Sequence, residues 1–168
     1  FLKLLEKKDI LKKINSKNEI NFKSKKLTTD LIDNLNLKID TAYGRINYIK
    51  KFSFSDNFFQ CKGNINLLEE FPLLFFDCNI IAKDKKKFLN FFSIRTKEKN
   101  KTLELNAIGS LNILSQKTNF KSISVNNDYN ASKEDLLYFK DIFERVLFDG
   151  NFINIFNNKK IKEFIQEV

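Results

Sequence analysis

The chain contains no histidine, no methionine and no tryptophan, and only one proline, four glycines and two cysteines. Without histidine there can be no Ser-His-Asp or Cys-His nucleophile, no imidazole base and no His-rich metal site. Gly44, Gly63, Gly109 and Gly150 are too dispersed for a phosphate-cradling loop or a dinucleotide fingerprint. Adjacent acids such as Glu69-Glu70 and Glu134-Asp135 point to opposite faces of a strand, or lie about 100° apart on a helix, and so read as solvated rather than as paired catalytic carboxylates. Tyr43, Tyr48, Tyr129 and Tyr138 have no activating partner in the sequence. The sequons Asn100-Lys101-Thr102 and Asn130-Ala131-Ser132 are no more than so Asn-rich a chain yields by chance. These absences argue against an enzyme, and no cofactor or metal is expected.

Cys61 and Cys78 match no zinc or redox spacing. Each falls on the apolar phase of an alternating segment. They read either as two small buried hydrophobes or as a disulfide between adjacent strands, which would suit an oxidising compartment. With no methionine, the start codon is expected to lie outside the chain, which reads as a fragment or a processed product. The stretch from Phe1 to Ile14 lacks the apolar run of a signal peptide. The segment from Phe71 to Ala82, interrupted by Pro72 and Asp77, is too short and too polar for a membrane span.

What remains is 168 residues, 42% hydrophobic and 30% charged, enough for one domain with a sizeable core. Lys, Asn, Ile and Phe make up about half the chain, the bias of a genome rich in A and T. The net charge of +9 is almost wholly lysine, with Arg45, Arg95 and Arg145 as the only guanidinium groups. It reads either as a compositional surplus scattered over loops or as attraction to anionic surfaces.

Phe1, Leu4, Leu5, Leu11 and Ile14 fall at helical spacing and predict a short amphipathic helix over 1–15. Over residues 20–126 the period becomes two. Leu35, Leu37 and Ile39 alternate with polar residues; Ile46, Tyr48, Phe52 and Phe54 follow the turn at Tyr43-Gly44; Phe59, Cys61, Gly63, Ile65 and Leu67 form the cleanest alternation. Leu74 to Ala82, Phe88 to Ile94, Leu103 to Ile113 and Ile123 with Val125 continue the series. Short polar turns between such segments predict an antiparallel meander, because parallel pairing needs long crossovers. Helical spacing returns over 132–168. Ser132 with Asp135 approximates a capping box, Leu136, Phe139, Ile142, Phe143, Val146 and Leu147 form an apolar stripe, and Ile161, Phe164, Ile165 and Val168 mark a last helix. The expected fold is α+β, mainly β: an open, groove-forming antiparallel sheet with a short N-terminal helix and C-terminal helices, folded as a single domain or as part of a larger protein.

A nucleic-acid surface would need lysines interleaved with exposed aromatics. Here the phenylalanines keep to the buried phase, lysines cluster in turns such as 83–87 and 97–101, and arginine, the preferred reader of guanine, is scarce, so the distribution argues against nucleic acid as a partner. A long apolar sheet face that stays partly open would instead bind acyl chains, which need continuous hydrocarbon and leave no motif.

The succession of long amphipathic strands, Leu35–Ile39, Ile46–Phe54, Phe59–Leu67, Leu74–Ala82, Phe88–Ile94 and Leu103–Ile113, ending in a short helical region with polar-aromatic stretches such as Tyr138-Phe139-Lys140-Asp141-Ile142-Phe143, resembles the AsmA-like proteins of Gram-negative bacteria, the group that includes the TamB and YhdP type. The Asn- and Lys-rich texture is similar to versions from AT-rich alphaproteobacteria, and the resemblance spans about residues 20–168. It implies the C-terminal piece of an inner-membrane-anchored envelope protein, non-enzymatic, whose β-rich groove lies in the periplasm and moves phospholipid toward the outer membrane. Membrane contact would then run through parts outside this chain, and other envelope proteins would be partners. The residues expected to line the lipid-binding face are Phe52, Phe54, Phe59, Ile65, Phe76, Ile80, Phe92, Leu105 and Leu111. The alternative is a structural or protein-interaction domain with a closed core; non-specific nucleic-acid binding ranks third.

Overall fold

The computed structural model describes residues 6–23, 33–54, 57–91, 95, 101–147, 159, 160 and 163. Among the described residues the chain is mainly β: eight antiparallel strands in one open sheet, in sequence order, with short helices at both ends. Helix α1 (Lys8–Leu11) precedes β1 (Asn15–Lys23), β2 (Asn34–Ala42), β3 (Arg45–Phe54), β4 (Asn57–Asn66) and β5 (Leu73–Ala82). Helix α2 (Lys85–Phe91) leads into β6 (Leu103–Asn112), β7 (Lys117–Val125) and β8 (Tyr129–Asn130), and α3 (Lys133–Leu147) follows.

Turn chemistry sets the register. Ala42 pairs with Arg45, leaving a two-residue loop in which Tyr43 and Gly44 both take positive φ, 50° and 76°, the geometry that matches strand twist. A side chain at Gly44 would also strike Leu68, because a Cβ there would lie 2.6 Å from Leu68 Cγ. Between β6 and β7 the Asn112 side chain accepts hydrogen bonds from the amides of Leu114 and Ser115, each at 3.0 Å, an Asx turn. Asn126 and Asn127 supply the positive φ needed before β8.

Because side chains alternate, this register puts one apolar set on a single, inner face. Its two ends are covered. At one end Leu11 of α1 is buried against Ile65 and Leu67, with Ile46, Leu74 and Ile113 packed around them, and Lys8 Nζ donates to the Leu68 carbonyl at 2.9 Å. At the other, Phe88 of α2 is buried on Ala82 among Phe52, Ile80 and Leu103. Helix α3 covers the β7 side, burying Ile142 and Val146, while Phe143 packs edge-on to Phe120. Glu144 of α3 accepts the Thr118 amide at 2.6 Å, occupying an edge donor of β7 beyond the short β8.

Three expectations change. The segment Phe88–Ile94, expected as a strand, is helical over its described part, because Asp84 caps a helix: its carboxylate accepts the Lys87 amide at 2.9 Å and its carbonyl the Phe88 amide at 3.0 Å. The helix expected over 1–15 is limited to Lys8–Leu11 within the described residues, and β1 begins at Asn15, before the expected boundary at 20. The reason is composition: Ser16 and Asn18 occupy the first inner positions of β1, so alternation is visible only at Ile20 and Phe22. The last expected helix lies outside the described residues except for Lys159, Lys160 and Glu163, which are helical.

The cap of α3 is as the sequence reads. The Asp135 amide donates to Ser132 Oγ at 3.1 Å, the Ser132 amide donates to Asp135 Oδ2 at 2.9 Å, and the Tyr129 hydroxyl adds a third bond to that carboxylate at 2.7 Å. The Tyr129 hydrogen bond, followed by those from Ser132, holds the Asp135 carboxyl below its ordinary value, and the same contact raises Tyr129. A depressed carboxyl contributes stability above its unfolded value and loses it as pH falls through the folded one. Ser132→Ala removes the acceptor of the Asp135 amide and should lower stability by about 1 kcal/mol in thermal melts, while the wild type itself should lose stability as the solution is acidified below the carboxylate range.

Candidate functional site: the inner face of the sheet

The paired strands lay the inner face out as rows running across the sheet. Phe52 faces Phe59, Phe59 faces Ile80, and Ile80 faces Leu105, giving one continuous wall, with Phe52 and Phe59 stacked at 4.5 Å between ring centroids. The next row is small at its centre: Lys50 faces Cys61, Cys61 faces Cys78, Cys78 faces Ala107, and Ala107 faces Ile123. A third row alternates rings with glycines, Tyr48, Gly63, Phe76, Gly109 and Phe120. The fourth carries Ile46 opposite Ile65, and Leu74 opposite Leu111.

Each glycine of the third row holds a neighbouring ring. A Cβ at Gly63 would lie 2.9 Å from Tyr48 Cε1 and would collide with the Phe75 carbonyl oxygen. One at Gly109 would lie 2.6 Å from Phe76 Cζ and 2.5 Å from the Asn119 carbonyl oxygen. The rings lie down over the glycines, the arrangement by which aromatic side chains support glycine in a sheet. Phe76 then meets Phe120 edge-on at 5.9 Å, so this row is an aromatic wall continuing to Phe143 of α3. Between the two rows of large side chains lies a row of small ones, Cys61, Cys78 and Ala107, all three half-buried, and this difference in residue size defines a furrow.

Cys61 and Cys78, directly opposite with Cα atoms 4.0 Å apart, are joined as a disulfide. Of the two sequence readings of this pair, the structure adopts the cross-strand bridge. Lys50 is the one charged residue among the described positions of these rows. Its Nζ lies 5.4 Å from the centroid of the Phe52 ring, within reach of cation–π attraction, and burial pulls its ammonium below the usual lysine range. Burial likewise raises the Tyr48 hydroxyl.

The expected lining residues separate into groups. Phe52, Phe59, Ile80 and Leu105 form one row, and Phe76 stands across the furrow from it. Ile65 and Leu111 are 5% and 7% exposed and belong to the packed fourth row. Phe54 ends β3 opposite Asn57, and Phe92 lies outside the described residues. Sequence reading left Tyr48, Lys50, Cys61, Cys78, Ala107 and Phe120 out of the lining set. Lys50 sits in the apolar phase between Tyr48 and Phe52, and that phase was its signal. Phe120 was hidden by the β-bulge between Ile108 and Gly109, which adds a residue to β7 and lets Phe120 and Ile123 share a face despite opposite parity.

The outer face is wet. Glu19 accepts from Asn36 at 2.6 Å and pairs with Lys38 at 3.3 Å, and these contacts, Asn36 foremost, hold its carboxyl low. Lys62 pairs with Asp77 at 3.1 Å, Asn106 donates to Asp77, and Asn79 donates to Glu104. A shallow concavity of about 650 Å³ crosses this face over Ile49, Lys62, Phe75, Asp77, Ile108 and Lys121. Its mixed charge suits an acyl chain less well than the inner furrow does. Among the described residues no cluster of three or more Cys, Asp or Glu is placed to hold a metal ion, and no helix is long and apolar enough to cross a membrane. Comparison with protein-family models, curated proteins and solved structures gave no match.

If the rings depend on the glycines beneath them, Gly63→Ala and Gly109→Ala should each destabilise the fold by about 1–3 kcal/mol, the usual cost of overpacking. Chemical denaturation followed by far-UV circular dichroism reads this directly.

Proposed function

We propose that this chain is a non-enzymatic, lipid-handling β domain of a bacterial envelope protein of the AsmA-like type, which binds or conducts phospholipid acyl chains along the inner face of its sheet. The observation that carries this reading is the furrow: a half-buried row of small residues, Cys61, Cys78 and Ala107, between the large side chains of Phe52, Phe59, Ile80 and Leu105 and a row of aromatic rings. An acyl chain laid there trades water for hydrocarbon at about 0.8 kcal/mol per buried CH₂ and asks nothing polar of the protein. The furrow crosses the strands, so it has the continuity along the sheet that conduction needs.

Two further features support the reading. The ends of the inner face are closed by Leu11 and Phe88, while its β1 side keeps Ile20 and Phe22 about half exposed, at 54% and 51%. That gives the apolar face an accessible flank. The Cys61–Cys78 bridge is of the kind that persists in oxidising compartments such as the periplasm.

The test is to purify the protein without detergent, extract it with organic solvent and identify lipid by mass spectrometry. Stoichiometric phospholipid is the expected result; a lipid-free, stable protein would favour a closed interaction domain. Filling the furrow with Ala107→Phe should cut lipid content at least tenfold with an unchanged melting temperature, whereas equal lipid content in the variant would place the lipid elsewhere.

A further inference from the structure

The two edges of the sheet differ. At one, the last long strand is partly covered, by the short β8 and by Glu144 on the Thr118 amide. At the other, the nine residues of β1 run in unbroken register with β2 and have no strand beyond them among the described residues. Hydrogen-bond phase decides which of their backbone groups face out. The Leu67 amide donates to the Gly44 carbonyl at 2.9 Å, so Arg45 and Asn66 are a non-hydrogen-bonded pair and Arg45 bonds to Ala42 instead. Alternation back along β2 then turns Thr41, Ile39, Leu37 and Leu35 toward β1, where they meet Ser16, Asn18, Ile20 and Phe22. Lys17, Glu19, Asn21 and Lys23 are left with N–H and C=O directed away from the sheet.

Such an edge pairs with another strand unless something blocks it, and β1 carries neither proline nor bulge. Its inner-face residues Ile20 and Phe22 stay half exposed. On its outer face Glu19, the only acid of the strand, is engaged by Asn36 and Lys38, whereas Lys17 and Lys23 form no ion pair among the described residues. Lys17 has Asp40 opposite and Lys23 only Asn34, so Lys23 is the less compensated charge. These lysines set two such edges against each other, on chains that each carry a net charge of +9, and favour an acidic strand over a second copy. We propose that β1 receives an extended segment of an acidic partner protein by β-augmentation. The segment runs antiparallel to β1, with apolar residues facing Asn18, Ile20 and Phe22 on the inner side and acids facing Lys17 and Lys23 on the outer side. It forms hydrogen-bonded pairs with Lys17, Glu19, Asn21 and Lys23 and prolongs the apolar face past its present end. The proposal does not rest on the lipid-handling reading, since it uses the edge of the sheet and not the furrow.

Titration of the whole chain with a capped, fluorescently labelled peptide, Glu-Val-Thr-Ile-Thr-Val-Glu, tests this. It should bind about tenfold more tightly than a counterpart with lysine at both ends, because two opposite-charge cross-strand pairs become like-charge ones. Lys23→Glu, at an exposed position, should abolish that preference with an unchanged melting temperature. Methylating the two threonine amides, which point at β1, should abolish binding, whereas methylating the isoleucine amide, which points away, should leave affinity within about twofold. Equal affinity for the acidic and basic peptides, or a preference that survives Lys23→Glu, would overturn the acidic partner. Binding that tolerates the threonine methylation would overturn the edge as the site, and failure of both peptides to bind would overturn the proposal entire. A dimer of the chain that the peptide dissociates, seen in sedimentation, would assign the edge to a second copy and overturn the acidic partner in its favour.

Discussion

An antiparallel strand shows its side chains alternately to two faces, so a slip of one residue anywhere would exchange them. Here such a slip would move Phe52, Phe59, Ile80 and Leu105 into water and bring Lys51, Gln60, Asn79 and Glu104 onto the dry face. Every other feature depends on that register holding across the long strands. It is held locally by the two-residue turn at Tyr43-Gly44 and by the Asx turn at Asn112, and globally by the opposite chemistry of the two faces. The outer-face ion pairs are exposed and add little energy, since such pairs contribute about 0–1 kcal/mol. Their value is directional, because Lys62 meets Asp77, and Glu19 meets Lys38, only in this pairing.

Within that register, residue size shapes the inner face. Large side chains at both ends receive α1 and α2 and become core, as Ile65 and Leu111 show. Small ones in between leave a channel, and the two glycines let the rings of Tyr48 and Phe76 lie flat, forming a wall. The same alternation of large and small that packs a closed core here leaves relief on a surface. The disulfide lies across the floor of this relief and ties β4 to β5 where the side chains are too small to do so by packing.

Much of the fold was legible because alternation is strong wherever both a dry and a wet face exist. From Leu35 to Leu67 the sequence marks each strand, and Ser132 with Asp135 marks the start of α3. Legibility failed where the period was disturbed for a physical reason. In β1 the inner positions Ser16 and Asn18 are polar because that flank is not buried. In α2, Phe88 and Phe92 four residues apart fit a helical turn as well as a strand phase, and the Asp84 cap decides between them. In β7 the bulge reverses parity, so Phe120 fell out of the pattern that caught Ile123 and Val125. Of the site, the wall from Phe52 to Leu105 was readable, because large apolar residues announce themselves. The floor and Lys50 were not, because a furrow is made by what is small, and one lysine among 27 carries no signal until its row is known.

Which face of the sheet meets hydrocarbon decides between the inner rows and the outer concavity. Intermolecular NOEs between a bound acyl chain and methyl-labelled protein measure this directly. Contacts from the chain methylenes to the methyls of Ala107, Ile80 and Ile123, with none to Ile49 or Ile108 on the outer face, are the predicted result. Contacts to Ile49 and Ile108 with none to Ala107 would contradict it, and would assign the hydrocarbon to the outer concavity instead.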